Sequence, residues 1–474
     1  MVTFFLSVLA LIVGYIVYGQ FVEHVFGPDN RRTPALAMAD GVDYIPLPLW
    51  KIFMIQFLNI AGTGPIFGAI MGAKFGPSAY LWIVLGCIFA GATHDYLAGM
   101  ISVRNAGIGL PEIIGRYLGG QAKKLMLMFT VLLLIMVGAV FVYSPAIILS
   151  GMIGDFMLWV IVIFIYYFIA TMMPIDKIIG KVYPLFAFAL LFMAVAVFVA
   201  LLVIMPDIPE IWEGIGNQNP KMGPIVPILF ITIACGAISG FHATQSPLMA
   251  RCIKHEKMGR PIFYGAMITE GVVALIWATV ASYFFYGGGA ADLGADTSAS
   301  APQIVNIVSK SWLGVLGSVL ALMGVVAAPI STGDTAMRSA RLIIAEFIHL
   351  NQRSILNRLL ISVPLFIVTV LVLWYNIADA DGFNKIWNYF GWANQALSIF
   401  TLWAITVYLV KQRKPFIITL IPALFMTFVC TTFLLISPIA LGLDNWISYG
   451  IGGCVLMVAL GWFWRWYQKN ISQV

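Results

Sequence analysis

Apolar runs long enough to cross a bilayer recur from Met1 to the last few residues, separated by short polar or charged stretches. A membrane helix needs about 20 mostly apolar residues, within a range of about 17 to 25. On that requirement the pattern predicts spans near residues 2–19, 50–73, 78–102, 125–149, 156–173, 182–205, 225–246, 262–286, 312–331, 358–377, 386–410, 415–437 and 446–465, about thirteen in all. The first run, Phe4 to Tyr18, lacks the basic leader and small-residue cleavage site of a signal peptide, so it counts as a span. The stretch 286–311 is small, polar and acidic and reads as an external loop with a re-entrant turn. The segment 334–350 reads as amphipathic and interfacial.

Charge tests the count, because cytoplasmic loops collect Lys and Arg and translocated loops do not. One alternating set of span ends and loops holds Arg31, Arg32, Lys51; Arg104, Arg116, Lys123, Lys124; Lys177, Lys181; Arg251, Lys254, Lys257, Arg260; Arg338, Arg341, Arg353, Arg358; Lys411, Arg413, Lys414; Arg465 and Lys469. The other set holds Lys74, Lys221, Lys310 and Lys385 beside Asp155, Asp207, Glu210, Glu213, Asp292, Asp296, Asp379, Asp381 and Asp444. The expected topology therefore has the N-terminus outside and the C-terminus in the cytoplasm. One missed span would invert every later loop, so the agreement along the chain supports the count.

Composition adds the class. The chain is 61% hydrophobic and 10% charged, against roughly 25% charged in a soluble domain, so residues 1–474 read as one all-α polytopic membrane domain. The formal net charge of +6 sits in the loops of one side, which removes the case for nucleic acid as a partner. Five cysteines without a Cys-x-x-Cys pair indicate neither a disulfide framework nor a zinc site. The lipid bilayer is the expected surrounding, and small-residue interfaces leave the oligomeric state open.

Two spans contain helix breakers where a membrane helix should be continuous. They are Asn59-Ile-Ala-Gly-Thr-Gly-Pro65 in the second span and Ala234-Cys-Gly-Ala-Ile-Ser-Gly-Phe-His-Ala-Thr-Gln-Ser-Pro247 in the seventh. Unwound backbone in hydrocarbon leaves N–H and C=O groups unmet, so it persists only around a cavity or ligand. Each break begins a group of five spans, and an odd number of spans reverses orientation. The pattern therefore predicts an inverted repeat, with a leading helix and loop over 1–47, repeats over 48–205 and 222–410, and two trailing helices over 411–474. Half-helix ends meeting near the midplane make Asn59, Ala61, Gly62, Thr63 and Gly64, with Cys235, Gly236, Ser239, Gly240, Phe241, His242 and Gln245, the expected substrate-binding residues.

The stretches Gly64-Pro-Ile-Phe-Gly68, Phe89-Ala-Gly-Ala-Thr-His-Asp95, Ala234-Cys-Gly-Ala-Ile-Ser-Gly-Phe-His242, Arg260-Pro-Ile-Phe-Tyr-Gly-Ala-Met267 and Phe390-Gly-Trp-Ala-Asn-Gln395 resemble the carbon starvation protein A (CstA) family of peptide and pyruvate transporters. The resemblance covers most of the chain and implies a LeuT-like five-plus-five fold. His94 stands where members often carry Gln.

Inside the spans, Asp95 and Glu270 are carboxyls at membrane depth, which is costly unless they are paired, protonated or facing water. Together with His94 they form the expected proton-coupling set, and His242 can relay a proton or hold a substrate carboxylate. Ala328-Pro-Ile-Ser-Thr332 resembles the small-x-x-hydroxyl-hydroxyl pattern with which related five-plus-five transporters bind sodium, so Ala328, Ser331 and Thr332 form a candidate Na+ site against the first break. No other cofactor is expected. Asp334 is placed to pair with Arg338 one turn on, while Asn394 and Gln395 interrupt the eleventh span. Trp446, Trp462, Trp464 and Trp466 lie near span ends and read as an interfacial belt.

These features predict a bacterial inner-membrane secondary transporter, not an enzyme. It would import short peptides or pyruvate-like carboxylates with H+ or Na+ by alternating access. A nutrient sensor or channel on the same fold is the alternative, since fold does not dictate function. A haem or quinone redox protein would need matched axial ligands on facing helices, which the sequence does not offer.

Overall fold

Glu210 fixes the start of the first helix, α1 (Val2–Phe26), by accepting hydrogen bonds from the Val2 and Thr3 backbone N–H groups at 2.9 and 2.7 Å. Those are donors that a helix N-terminus cannot satisfy internally. Along α1 the buried positions Phe4, Ser7, Leu11, Gly14, Val22 and Val25 recur at helical spacing and turn inward, whereas Leu6, Leu9, Val13 and Val17 face outward. In a bilayer that outward face meets lipid rather than water, so its exposure carries no hydrophobic cost.

The computed structural model describes residues 1–40, 44–172, 179–352, 354–379 and 381–471, and every regular element among them is a helix. Lys177 and Arg353 of the basic loops lie outside the described residues. After α1 come α2 (Leu49–Ile60), α3 (Gly64–Ala73), α4 (Ser78–Arg104), the short α5 (Leu110–Leu118), α6 (Gly120–Ser150), α7 (Phe156–Met172) and α8 (Ile179–Ile204). The second half repeats the plan with α9 (Ile225–Thr232), α10 (His242–Ala250), α11 (Glu256–Tyr286), α12 (Ala301–Phe347), α13 (Ile355–Ala378) and α14 (Gly382–Lys411). Two helices trail, α15 (Ile417–Ile436) and α16 (Asn445–Ile471).

Among the described residues ten helices are long and apolar enough to cross a membrane, and the bent pair α2–α3 makes an eleventh span. The remaining two expected spans are α7, which has 17 residues, and the pair α9–α10, whose halves of 8 and 9 residues flank an unwound stretch. Each expected span thus finds its helix or helix pair. The two broken pairs sit inside the bundle, where α3 packs on α11 and α10 on α4.

One expectation is corrected. The segment 334–350 is not a separate interfacial helix: most of it continues α12, a 47-residue element kinked at Gly314, whose φ of 64° suits a residue without a Cβ. Ala336, Met337 and Ala340 turn a buried stripe inward, and Arg338 and Arg341 are buried with them. The polar positions that suggested a surface helix serve internal contacts, with Arg338 donating to the Ala170 carbonyl at 2.6 Å and to Asp334 at 3.2 Å.

Candidate functional site

The first break is short. α2 stops at Ile60, Ala61 leaves helical geometry, and α3 restarts at Gly64 at an angle of 48° to α2. Pro65 stands in the first turn of α3, where its missing N–H costs nothing. Ala61, Gly62, Thr63 and Gly64 are buried, and the Thr63 hydroxyl has no hydrogen-bond partner. Asn59 is half-buried.

The second break, residues 233–241, is longer and is stitched to its neighbours. Trp82 Nε1 donates to the Ile233 carbonyl and Trp387 Nε1 to that of Thr232, both at 3.2 Å. Gln395 Nε2 donates to the carbonyls of Ala234 and Ile238 at 3.2 and 3.0 Å. Asn394 Oδ1 accepts from the Phe241 N–H at 2.8 Å and from Ser239 Oγ at 3.1 Å, while the Asn394 carbonyl accepts from the Gly240 N–H at 3.2 Å. Backbone groups that hydrocarbon would strand are therefore met by α4 and α14.

The two breaks interlock. A Cβ added at Gly64 would lie 2.3 Å from Cys235 Sγ and 2.4 Å from Cys235 Cβ, so only glycine permits this approach. Gly236 lies alongside, within 3.8 Å of the Pro65 Cα by the same measure.

Beside the second break runs a chain of fully buried ionisable side chains from three elements. His94 and Asp95 come from α4, His242 from the first turn of α10 and Glu270 from α11, all at 0% exposure. His94 Nδ1 is 2.8 Å from one Asp95 oxygen and His242 Nδ1 is 2.8 Å from the other. With Asp95 as a carboxylate, which can only accept, each Nδ1 donates, and His242 is left with Nε2 turned toward Glu270 Oε2 at 3.4 Å. Neither Glu270 oxygen has a hydrogen-bond partner. The His242–Glu270 gap closes into a hydrogen bond only when a proton sits between them, because two lone pairs otherwise face each other.

The acid-bearing helices share a further feature. α4 widens into a π-helical turn at Gly86–Gly91 before Asp95, and α11 does the same at Arg260–Tyr264 before Glu270. π turns concentrate at functional sites. Both helices follow the broken pair of their own five-helix group, so Asp95 and Glu270 occupy corresponding places.

Other expected residues are placed less centrally. Gln245 Nε2 donates to Thr244 Oγ1 at 2.9 Å and takes no part in the chain. Of the candidate sodium ligands, Ser331 Oγ donates to the Ala328 carbonyl at 2.8 Å, a back-bond to its own helix. Thr332 Oγ1 is buried without a partner and lies 3.8 Å from where a Cβ on Gly62 would stand, facing the first break. Cys235, His242 and Glu270 bring a sulfur, a nitrogen and an oxygen within 4.8 Å of one another, a donor set transition metals accept. Asn394 Nδ2 already donates to the Cys235 sulfur at 3.4 Å, which ties Cys235 to α14.

Comparison with known proteins follows the same outline. The family model described as "Carbon starvation protein CstA" matches residues 1–153, 142–311 and 287–433. An "Uncharacterized membrane protein" of Haemophilus influenzae is 44% identical over 339 residues, 60% of this chain and 91% of its own length. The "Peptide transporter CstA" of Campylobacter jejuni is 29% identical over 379 residues, 65% of this chain and 53% of its own. The "Pyruvate/proton symporter BtsT" of Escherichia coli is 28% identical over 344 residues, 58% of this chain and 48% of its own. The chain thus spans about half the length of these two transporters. Among solved structures, the manganese transporter of Eremococcus coleocola superposes with a TM-score of 0.59 at 14% identity, covering 92% of this chain and 99% of its own. A Na+-coupled sialic acid symporter gives a TM-score of 0.53 at 14% identity, covering 96% of each chain. At that identity the likeness establishes the fold, the LeuT-like inverted repeat.

Proposed function

The chain belongs to the carbon starvation protein CstA family, and on that premise we propose that it imports short peptides or pyruvate-like small carboxylates by proton-coupled symport, with sodium as the alternative coupling ion. It is a membrane transporter rather than an enzyme. Residues 48–205 and 222–410 act as the two repeats, and the pathway lies between them.

The observation that carries the reading is the buried chain Asp95, His242, Glu270. It crosses from one repeat to the other through His242, in the first turn of α10 directly after the second break. A proton entering the His242–Glu270 gap turns a lone-pair clash into a bond, so its arrival and departure change how α10 is held against α11. Coupling needs such a difference between the loaded and empty site. The substrate's carboxylate fits best at the start of α3. There the helix dipole favours an anion and the Thr63 hydroxyl is unpartnered. The matching end of α10 is less available, since Asn394 already takes the Phe241 and Gly240 N–H groups. The sodium alternative is supported by Thr332 Oγ1, buried and facing Gly62.

Uptake of pyruvate and of di- and tripeptides into proteoliposomes, with pH and sodium gradients varied independently, tests the proposal. An inward proton gradient should drive uptake, and Asp95→Asn or Glu270→Gln should lower the driven rate by about tenfold or more while leaving saturable counterflow. Sodium dependence that vanishes in Ser331→Ala with Thr332→Ala would move the assignment to sodium. Absence of uptake for either substrate class under either gradient would leave the sensor or channel reading.

The basic end of the bundle is proposed to face the cytoplasm of a bacterium, with the N-terminus outside. A C-terminal green fluorescent protein fusion should then fluoresce. An active C-terminal alkaline phosphatase fusion would reverse the orientation.

A further inference from the structure

At the basic end of the bundle, α14 and α16 frame two adjoining hollows that the transport pathway does not use. The first, about 360 Å³, is walled by Tyr117, Phe400, Trp403, Trp462 and Trp466 among other apolar side chains. The second, about 590 Å³, is lined by Lys411, Arg413, Lys414, Tyr467 and Asn470 with two apolar neighbours. They are neighbours. Val407 of the first and Lys411 of the second are one turn apart on α14, and the rings of Phe463 and Tyr467, one from each hollow, stack at 6.1 Å. Lys411 Nζ lies 5.5 Å from the ring centre of Tyr117, bridging the two. Among the described residues no acidic side chain lines either hollow.

We propose that the pair is a seat for one anionic phospholipid, with an acyl chain in the aromatic hollow and the phosphate against Lys411, Arg413 and Lys414. An uncharged apolar groove takes any acyl chain without preference, so selectivity comes from the second hollow. Its three cations stand where a lipid phosphate lies when the chain below is buried, and basic pockets at helix ends hold such headgroups. A zwitterionic headgroup brings its own cation and gains little there. Among the ten long helices of the described residues α16 is the least embedded, with 17% of its membrane window buried, so a lipid filling both hollows would add contact between this helix and α14. The tryptophans at 462 and 466, which the sequence places in an interfacial belt, thereby become two walls of a binding groove. This site is independent of the substrate and of the coupling ion.

Native mass spectrometry of the full chain in detergent, titrated with dioleoylphosphatidylglycerol and separately with dioleoylphosphatidylcholine, is the test. The first phosphatidylglycerol should bind about tenfold tighter than phosphatidylcholine, and Lys411→Gln with Arg413→Gln should remove most of that preference. Because Lys414 also donates to the Phe26 carbonyl, it is left intact. Phosphatidylglycerol brominated on its acyl chain should quench tryptophan fluorescence less in Trp403→Phe with Trp462→Phe and Trp466→Phe than in the unaltered protein. Equal affinity for the two lipids, a preference untouched by the lysine and arginine changes, or a lipid-free dimer that buries the groove would overturn the proposal.

Discussion

Asn394 satisfies the unwound stretch of the second break at four points. Its side-chain oxygen accepts from Phe241 N–H and Ser239 Oγ, its amide donates to Cys235 Sγ, and its own carbonyl accepts from Gly240 N–H. Replacing it with leucine keeps the bulk and removes three of the four bonds. The buried Phe241 N–H would be left without an acceptor at a cost of about 1–3 kcal/mol. Asn394→Leu should therefore lower the thermal midpoint in detergent and abolish transport. A midpoint equal to that of the unaltered protein would mean the break is held by something else. The sequence marks Asn394 and Gln395 as polar residues inside an apolar span, which is the signal that could have placed them in the site. It does not say what they touch, because their partners lie about 160 positions away along the chain.

At the scale of elements, the breaks were legible because glycine and proline clusters contradict the apolar run around them. Their stitching was not legible, since Trp82 and Trp387 are unremarkable membrane-helix residues until the fold brings them to bare carbonyls. The π turns of α4 and α11 were equally hidden, as no residue type codes for them. The misreading of 334–350 has the same origin: a helix with buried arginines looks amphipathic, and only packing against α7 shows that Arg338 points inward. The interlock of the two breaks yields a prediction at this scale. Gly64→Ala would set a methyl 2.3 Å from Cys235 Sγ and 2.4 Å from its Cβ, so α3 and the second break must move apart. Overpacking of this kind costs about 1–3 kcal/mol. Cys235→Gly removes both obstructing atoms, so the double variant should recover part of the thermal midpoint lost in Gly64→Ala. If the double variant melts no higher than the single one, the two breaks are not in the contact described.

Across the whole molecule, two carboxylates tie the leading helix to the repeats. At one end Glu256, fully buried at the start of α11, accepts from Arg104 Nε and Nη2 of α4 at 3.0 and 2.9 Å and from the Asp29 N–H beyond α1 at 2.9 Å. At the other end Glu210, in the connection between the repeats, receives the Met1 ammonium and the Val2 and Thr3 N–H groups, while the Ile211 N–H donates to Thr3 Oγ1. Burial pushes the Glu210 carboxyl up, but the ammonium, the Thr3 hydroxyl and the two amides outweigh it and hold the group at about 2 against an ordinary 4.5. The sign of the consequence is fixed by linkage: a group depressed on folding contributes its full stabilisation above its unfolded value and loses it as pH falls toward the folded one. The gap in thermal midpoint between the unaltered protein and Glu210→Gln should therefore be widest at pH 5.5 and above and shrink between pH 4.5 and about 2. Scanning fluorimetry across that window reads the gap directly. A difference as wide at pH 3.5 as at neutral pH would show that the carboxylate's shape, rather than its charge, anchors α1, because protonation alone removes the attraction to three N–H donors while leaving the side chain in place.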